Sequence, residues 1–265
     1  MNKIFDTHAH YTSHRFDGHR DAMLQSLPAG NVGAVVECAV DYTSAKAALA
    51  LAAQYPWLYA AAGIHPESLI EDDASTMQVY GGNWAAELAE LENLYANPKL
   101  VAVGEIGLDY HWPIPKDLQA QLFVAQLQSA HAHDLPVLMH DREAHADMYA
   151  MMKKYTPKGV LHCYSGSADD ALWLTQQGLY LGVGGTVTFK NARHIVDTVK
   201  AVPLEKLLLE TDCPYMAPEP FRGKECNSTM ILYTAQRIAE IKDTTLDEVL
   251  AATWHNACEL FGLHV

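Results

Sequence analysis

The sequence predicts an α/β protein of the (β/α)8 TIM-barrel class. Two patterns support this: short apolar runs alternate with helix-period stretches eight times, and most of those runs stop abruptly at a histidine or a carboxylate. A TIM barrel assembles its active site at the C-terminal ends of its strands, so chemistry-bearing residues at run ends are what that fold requires. Size agrees, because 265 residues at 49% hydrophobic content, with no Ser/Gly/Pro-rich linker, suit one domain over residues 1–265.

The elements follow in order. Residues 3–8 form a first strand whose exit carries His8 and His10, and residues two apart on extended chain face the same side. A helix over 17–27 leads to strand two at 32–40. A second helix over 43–55 stops at Pro56, and strand three, 58–64, ends in His65-Pro66. His65 either meets substrate or supports a metal site, or else caps the segment after it. The segment 75–97 contains an amphipathic helix, and strand four, 101–109, is apolar until Glu105, which stands between Gly104 and Gly107. A proline-rich loop, 110–115, precedes a long helix over 117–133. Strand five, 136–139, ends in His140-Asp141-Arg142, and a helix over 143–155 follows. Strand six, 159–161, ends in His162, and strand seven, 179–183, in Gly184-Gly185. Strand eight, 207–212, ends in Glu210 and Asp212, with helices over 229–241 and 246–260 closing the chain.

Composition excludes some partners. A formal net charge of −14 argues against adhesion to nucleic acid or anionic membrane through a basic surface. A phosphate substrate stays compatible, since a metal-loaded cleft is locally positive even on an acidic protein. The five cysteines are odd in number and contain no Cys-x-x-Cys, as expected of reduced thiols. The opening residues have no room for a signal-peptide apolar region and no later run is long enough to span a bilayer. The expectation is a soluble cytoplasmic protein without a membrane partner. Oligomeric state stays open, and a monomer satisfies the sequence.

His8, His10, Glu105, His140, His162 and Asp212 all fall at strand exits. Four imidazoles and two carboxylates at one barrel mouth form a donor set for zinc, manganese, iron or cobalt, with magnesium also compatible. Six side chains serve two divalent ions more economically than one, with Glu105 as the bridging carboxylate. Arg142, Lys190, Arg193, Arg222 and Lys224 are candidate contacts for a phosphate.

The motifs His8-Ala9-His10, Gly63-Ile64-His65-Pro66, Gly104-Glu105-Ile106-Gly107-Leu108-Asp109, Met139-His140 with Arg142, Leu161-His162-Cys163-Tyr164-Ser165-Gly166 and Glu210-Thr211-Asp212-Cys213-Pro214-Tyr215 together resemble the TatD family of metal-dependent hydrolases and DNases. The resemblance runs in order along nearly the whole chain. It implies a TIM barrel with a two-metal centre (magnesium, manganese or zinc), ligated by His8, His10, Glu105, His140, His162 and Asp212. It also implies DNA or another phosphodiester as substrate, with 3'-exonuclease or repair-type activity in some members. Two departures stand out: Tyr164 replaces a common Phe, and Arg222-Gly223-Lys224-Glu225-Cys226-Asn227-Ser228 replaces a more basic Arg-Gly-Lys-Arg-Asn-Glu-Pro run.

The expected chemistry is hydrolysis by a metal-activated water, with Asp212 as general base, Glu105 essential to the centre, and His65, Arg142, Arg222 and Lys224 binding substrate. Two other readings use the same residues: hydrolysis of a small amide, lactone or phosphate ester, and a non-catalytic metal- or nucleic-acid-binding barrel.

Overall fold

In the computed structural model, which describes residues 2–264, β1 is Ile4–Ala9, α1 Arg20–Ser26, β2 Val32–Cys38, α2 Tyr42–Ala52, β3 Leu58–Ala61, α3 Ser75–Gln78 and α4 Trp84–Glu92. There follow β4 Leu100–Asp109, α5 Lys116–Ala132, β5 Val137–Arg142, α6 His145–Tyr155, β6 Gly159–Leu161, α7 Ala168–Gln176, β7 Tyr180–Val183, α8 Arg193–Ala201, β8 Leu207–Leu209, α9 Ile231–Lys242 and α10 Leu246–Phe261. Among the described residues the strands stand in one eight-stranded sheet in the order β1 to β8. This is the (β/α)8 class expected. Among the described residues no helix is long and apolar enough to cross a membrane.

Local chemistry explains the element ends. Asp41 accepts the Ser44 N–H while the Ser44 hydroxyl reaches back, a capping box that starts α2. Thr245 and Glu248 form the same box at α10, which Gly262 ends in a left-handed conformation. The helix expected within the segment 75–97 is α4; the short α3 precedes it, and Gly81 and Gly82, both at positive φ, separate the two. Strand five runs three residues past its expected end, so His140 lies within the strand. Strand eight stops at Leu209, three residues short, and Asp212 beyond it takes φ of 58°.

The chain divides into two compact units, one formed by the residues up to Glu37 with those from His162 onward, the other by Cys38 to Leu161. In the first, Phe5 packs on Trp254 and Phe261 of α10, with ring centroids 5.5 and 5.9 Å away. The Asn256 amide donates to the carbonyls of Leu204 and Leu207, tying α10 to the entry of β8. Ala9 bridges Cys213 in parallel, so the end of β1 lies beside the segment after β8.

In the second unit, α5 has a purpose its hydropathy conceals. Gln119 and Gln126 are seven residues apart, two helical turns, and both are fully buried. The Gln126 amide accepts from the Ile64 N–H at 2.7 Å and donates to the Ile64 carbonyl at 2.9 Å. Gln119 does the same for Asp109, at 2.8 and 2.7 Å. Each glutamine satisfies a backbone N–H and carbonyl, and so holds the strand end that precedes His65 or contains Asp109.

Candidate metal centre

In the first unit, β1 delivers both imidazoles of His8-Ala9-His10 to one point, with Nε2 of His8 and Nε2 of His10 3.1 Å apart. Asp212 Oδ1 lies 3.3 Å from His10 Nε2 and 3.9 Å from His8 Nε2. The His162 ring stacks on His8 with centroids 4.0 Å apart and planes 11° from parallel. Burial pushes the Asp212 carboxyl up, but its bond to His10 and the nearby imidazoles outweigh that and hold it below its ordinary value.

A network the sequence did not announce holds these ligand candidates. Asp6, fully buried, accepts from the N–H groups of His8 and Thr211 through Oδ1 and from the hydroxyls of Thr211 and Ser228 through Oδ2. It therefore clamps the strand that bears His8 to the segment that bears Asp212. Burial raises its pKa to about 6 despite those four donors. Glu37 accepts from the N–H groups of Tyr11 and Thr12, each at 2.7 Å, and fixes the loop leaving His10. Glu210 is buried and accepts from the Cys163 N–H. Its pKa is raised to about 7, chiefly by burial. The strand alternation that would align Glu210 with Asp212 ends where Asp212 turns left-handed.

In the second unit, His140 lies between two carboxylates. Its Nδ1 is 3.1 Å from Glu105 Oε1 and its Nε2 is 3.0 Å from Asp109 Oδ2. Burial lowers the His140 pKa and the two carboxylates more than reverse this, raising it to about 10. Asp109 is almost fully buried, and its other oxygen accepts the His111 N–H at 3.0 Å. The His65 ring packs edge-on against His140, its Nε2 3.7 Å from Glu105 Oε1, while its Nδ1 accepts the Glu67 N–H. His65 thus caps the following turn with one nitrogen and faces Glu105 with the other. Gly107 adopts φ of 149° directly against the His140 backbone, where a Cβ would collide with the His140 carbonyl.

The donor spacing fits a metal. Ligands bound at about 2.0–2.2 Å around one ion, at right to tetrahedral angles, stand about 2.8–3.6 Å from each other. The His8–His10 and His10–Asp212 separations of 3.1 and 3.3 Å fall in that range, and both His8–His10–Asp212 and His65–Asp109–His140 bring their donor atoms within 4.8 Å of one another.

The remaining expected residues are more peripheral. Arg142 is half exposed, its Nη1 3.9 Å from Asp109 Oδ2. Arg222 lies over the Phe189 ring at 4.4 Å, Lys224 is exposed, Lys190 is exposed, and Arg193 pairs with Asp197 on α8. None of these five belongs to the donor groups just described.

A sequence profile described as "TatD related DNase" matches residues 5–262. The chain belongs to the TatD family. It is 36% identical to the metal-dependent hydrolase YabD of Bacillus subtilis, over 98% of this chain and all of that protein. A 29% match of similar extent joins it to a protein of Erwinia tasmaniensis named as the 3'-5' ssDNA/RNA exonuclease TatD. Among solved structures, the TatD homologue YjjV of Escherichia coli superposes with a TM-score of 0.88 at 32% identity, covering 98% of both chains. The protein is a metal-dependent hydrolase of this family, and its fold is that family's (β/α)8 fold.

Asp6, Glu37, Asp109, Gln119 and Gln126 were not read as site residues from sequence. For Asp109 the signal was present, since it ends the same largely apolar strand that carries Glu105. The two glutamines carried a weaker one, a seven-residue spacing on one helix face.

Proposed function

We propose that this TatD-family protein is a phosphodiesterase acting on nucleic acid, that His8, His10, His162 and Asp212 are ligands to a divalent ion in one unit, and that Glu105 and His140 are ligands to a divalent ion in the other. The observation that carries it is the His8–His10–Asp212 triangle, two imidazole nitrogens and a carboxylate oxygen with two sides at ligand spacing and the third at 3.9 Å. The name of the Erwinia relative supports nucleic acid as substrate. Divalent ions bound there would acidify a water and neutralise charge developing at phosphorus.

The chain's own residues do the rest. Asp212, held below its ordinary pKa, is a carboxylate at neutral pH and takes the attacking water's proton. Glu105 places a buried carboxylate against His140 and His65. Arg142, fixed near Asp109 yet half exposed, offers its guanidinium to a non-bridging phosphate oxygen. His65, with Nδ1 occupied by the Glu67 N–H, carries its proton on Nε2 and can donate it to substrate. Arg222 and Lys224 supply cations further along the strand's path.

The test combines elemental analysis with activity: hydrolysis of single-stranded DNA, bis-p-nitrophenyl phosphate and a lactone, after chelation and after restoring magnesium, manganese or zinc. Metal-restored cleavage of both phosphodiesters is expected. Bound metal with cleavage of the lactone alone would overturn the reading in favour of a carbonyl substrate.

A further inference from the structure

Tyr215 exposes 47% of its surface, although its backbone is firmly held. Its N–H donates to the Asp212 carbonyl at 3.0 Å, the adjacent Pro214 carbonyl accepts the Cys226 N–H, and Met216 beyond it packs its carbonyl against Gly185. An exposed aromatic ring on a fixed backbone makes contact with a ligand at little cost in ordering. The Arg15 guanidinium lies over this ring, 5.2 Å from its centroid. Arg15 is itself anchored, because Ser13 accepts its N–H and donates its own N–H to the His10 carbonyl. The two members of this pair thus project from the two segments whose His10 and Asp212 side chains meet at 3.3 Å. Among the described residues Arg15 forms no ion pair, so its charge is available to a phosphate.

We propose that Tyr215 and Arg15 form a subsite for a nucleotide of a single-stranded nucleic acid, the ring stacking on the base and the guanidinium meeting the base face or the adjoining phosphate. Stacking on an aromatic ring is indifferent to base identity, and it suits a protein whose formal net charge of −14 does not favour the phosphate backbone. The subsite lies on the carbonyl side of Asp212 and so sets which phosphodiester is presented to the metal ligands. This inference rests on the phosphodiesterase reading for its choice of ligand.

The test uses manganese-loaded protein and fluorescence anisotropy with a labelled single-stranded phosphorothioate decamer, which resists cleavage, beside the same decamer built from abasic residues. The wild-type protein is expected to bind the base-bearing strand about tenfold more tightly. Tyr215→Ala should bring that ratio close to one, Tyr215→Phe should preserve it, and Arg15→Ala should weaken binding of both strands. A preference that survives Tyr215→Ala, or its absence in the wild type, overturns the subsite. Cleavage of an ordinary decamer is measured in parallel. Cleavage without base preference overturns the subsite but keeps the phosphodiesterase. Base preference without cleavage supports the subsite and overturns the phosphodiesterase, and failure of both binding and cleavage overturns both.

Discussion

Asp109 Oδ2 stands 3.0 Å from His140 Nε2, and the opposite ring nitrogen of His140 is 3.1 Å from Glu105. A histidine offers only one nitrogen to a metal, and the hydrogen bond made by the other fixes its tautomer and ring angle. Asp109 already accepts the His111 N–H, and Gln119 locks its backbone, so in the proposed centre it would be the orienting carboxylate and would leave Nδ1 for the ion. Asp109→Asn should therefore lower metal affinity about 10- to 100-fold, read by equilibrium dialysis, with far-UV circular dichroism unchanged. Unaltered affinity would show that His140 needs no such partner.

Metal removal is expected to appear in stability as well as in activity. An ion that binds the folded chain at a hundred times its dissociation constant adds about 2.7 kcal/mol, which for a chain of this length is a rise in Tm of roughly 5–10 °C. Chelation should reverse that rise, and His10→Ala should be almost insensitive to added metal in a thermal scan. A full metal-induced shift in His10→Ala would remove the His8–His10–Asp212 triangle from the site.

Gln126→Leu keeps the helix but strips both partners from the buried Ile64 N–H and carbonyl. Two such groups left unsatisfied cost about 2–4 kcal/mol, to be measured by urea denaturation. Because Ile64 immediately precedes His65, metal affinity should fall too. A loss below about 0.5 kcal/mol would mean that the strand end finds other partners.

The acid that interrupts the basic 222–228 run is engaged within its own unit. Glu225 lies 2.8 Å from His19 Nε2, and this hydrogen bond raises the His19 pKa above 6.5. A histidine whose folded pKa is raised stabilises the fold fully below its unfolded pKa and loses that contribution as pH rises through the folded value. The tie between His19 and the 222–228 loop should accordingly loosen from about neutral pH upward. An NMR titration of His19 checks it: the midpoint should lie above 6.5 in the wild type and return toward 6.5 in Glu225→Gln. Identical midpoints would dissociate the pair.

The sequence by itself determined the alternation of strands and helices and the residue types at strand exits. Apolar runs that bury both faces rarely end in a histidine or an acid, so His8, His10, Glu105, His140, His162 and Asp212 stood out as candidate ligands one segment at a time. The period of two even foretold that His8 and His10 would share a side, and their nitrogens do meet. Tertiary structure alone decided which polar groups hold those residues in place. Asp6 bonds to Thr211 and Ser228, 205 and 222 residues away, and Gln126 bonds to Ile64 across 62. Hydrogen-bond partners at such separations leave no periodic trace in the chain, because each is specified by where folded segments come to lie and not by neighbours in sequence. The same reason hides the left-handed turn at Asp212: a non-glycine residue at positive φ is chosen by the contacts that surround it, and from the sequence that position reads simply as the last residue of a strand.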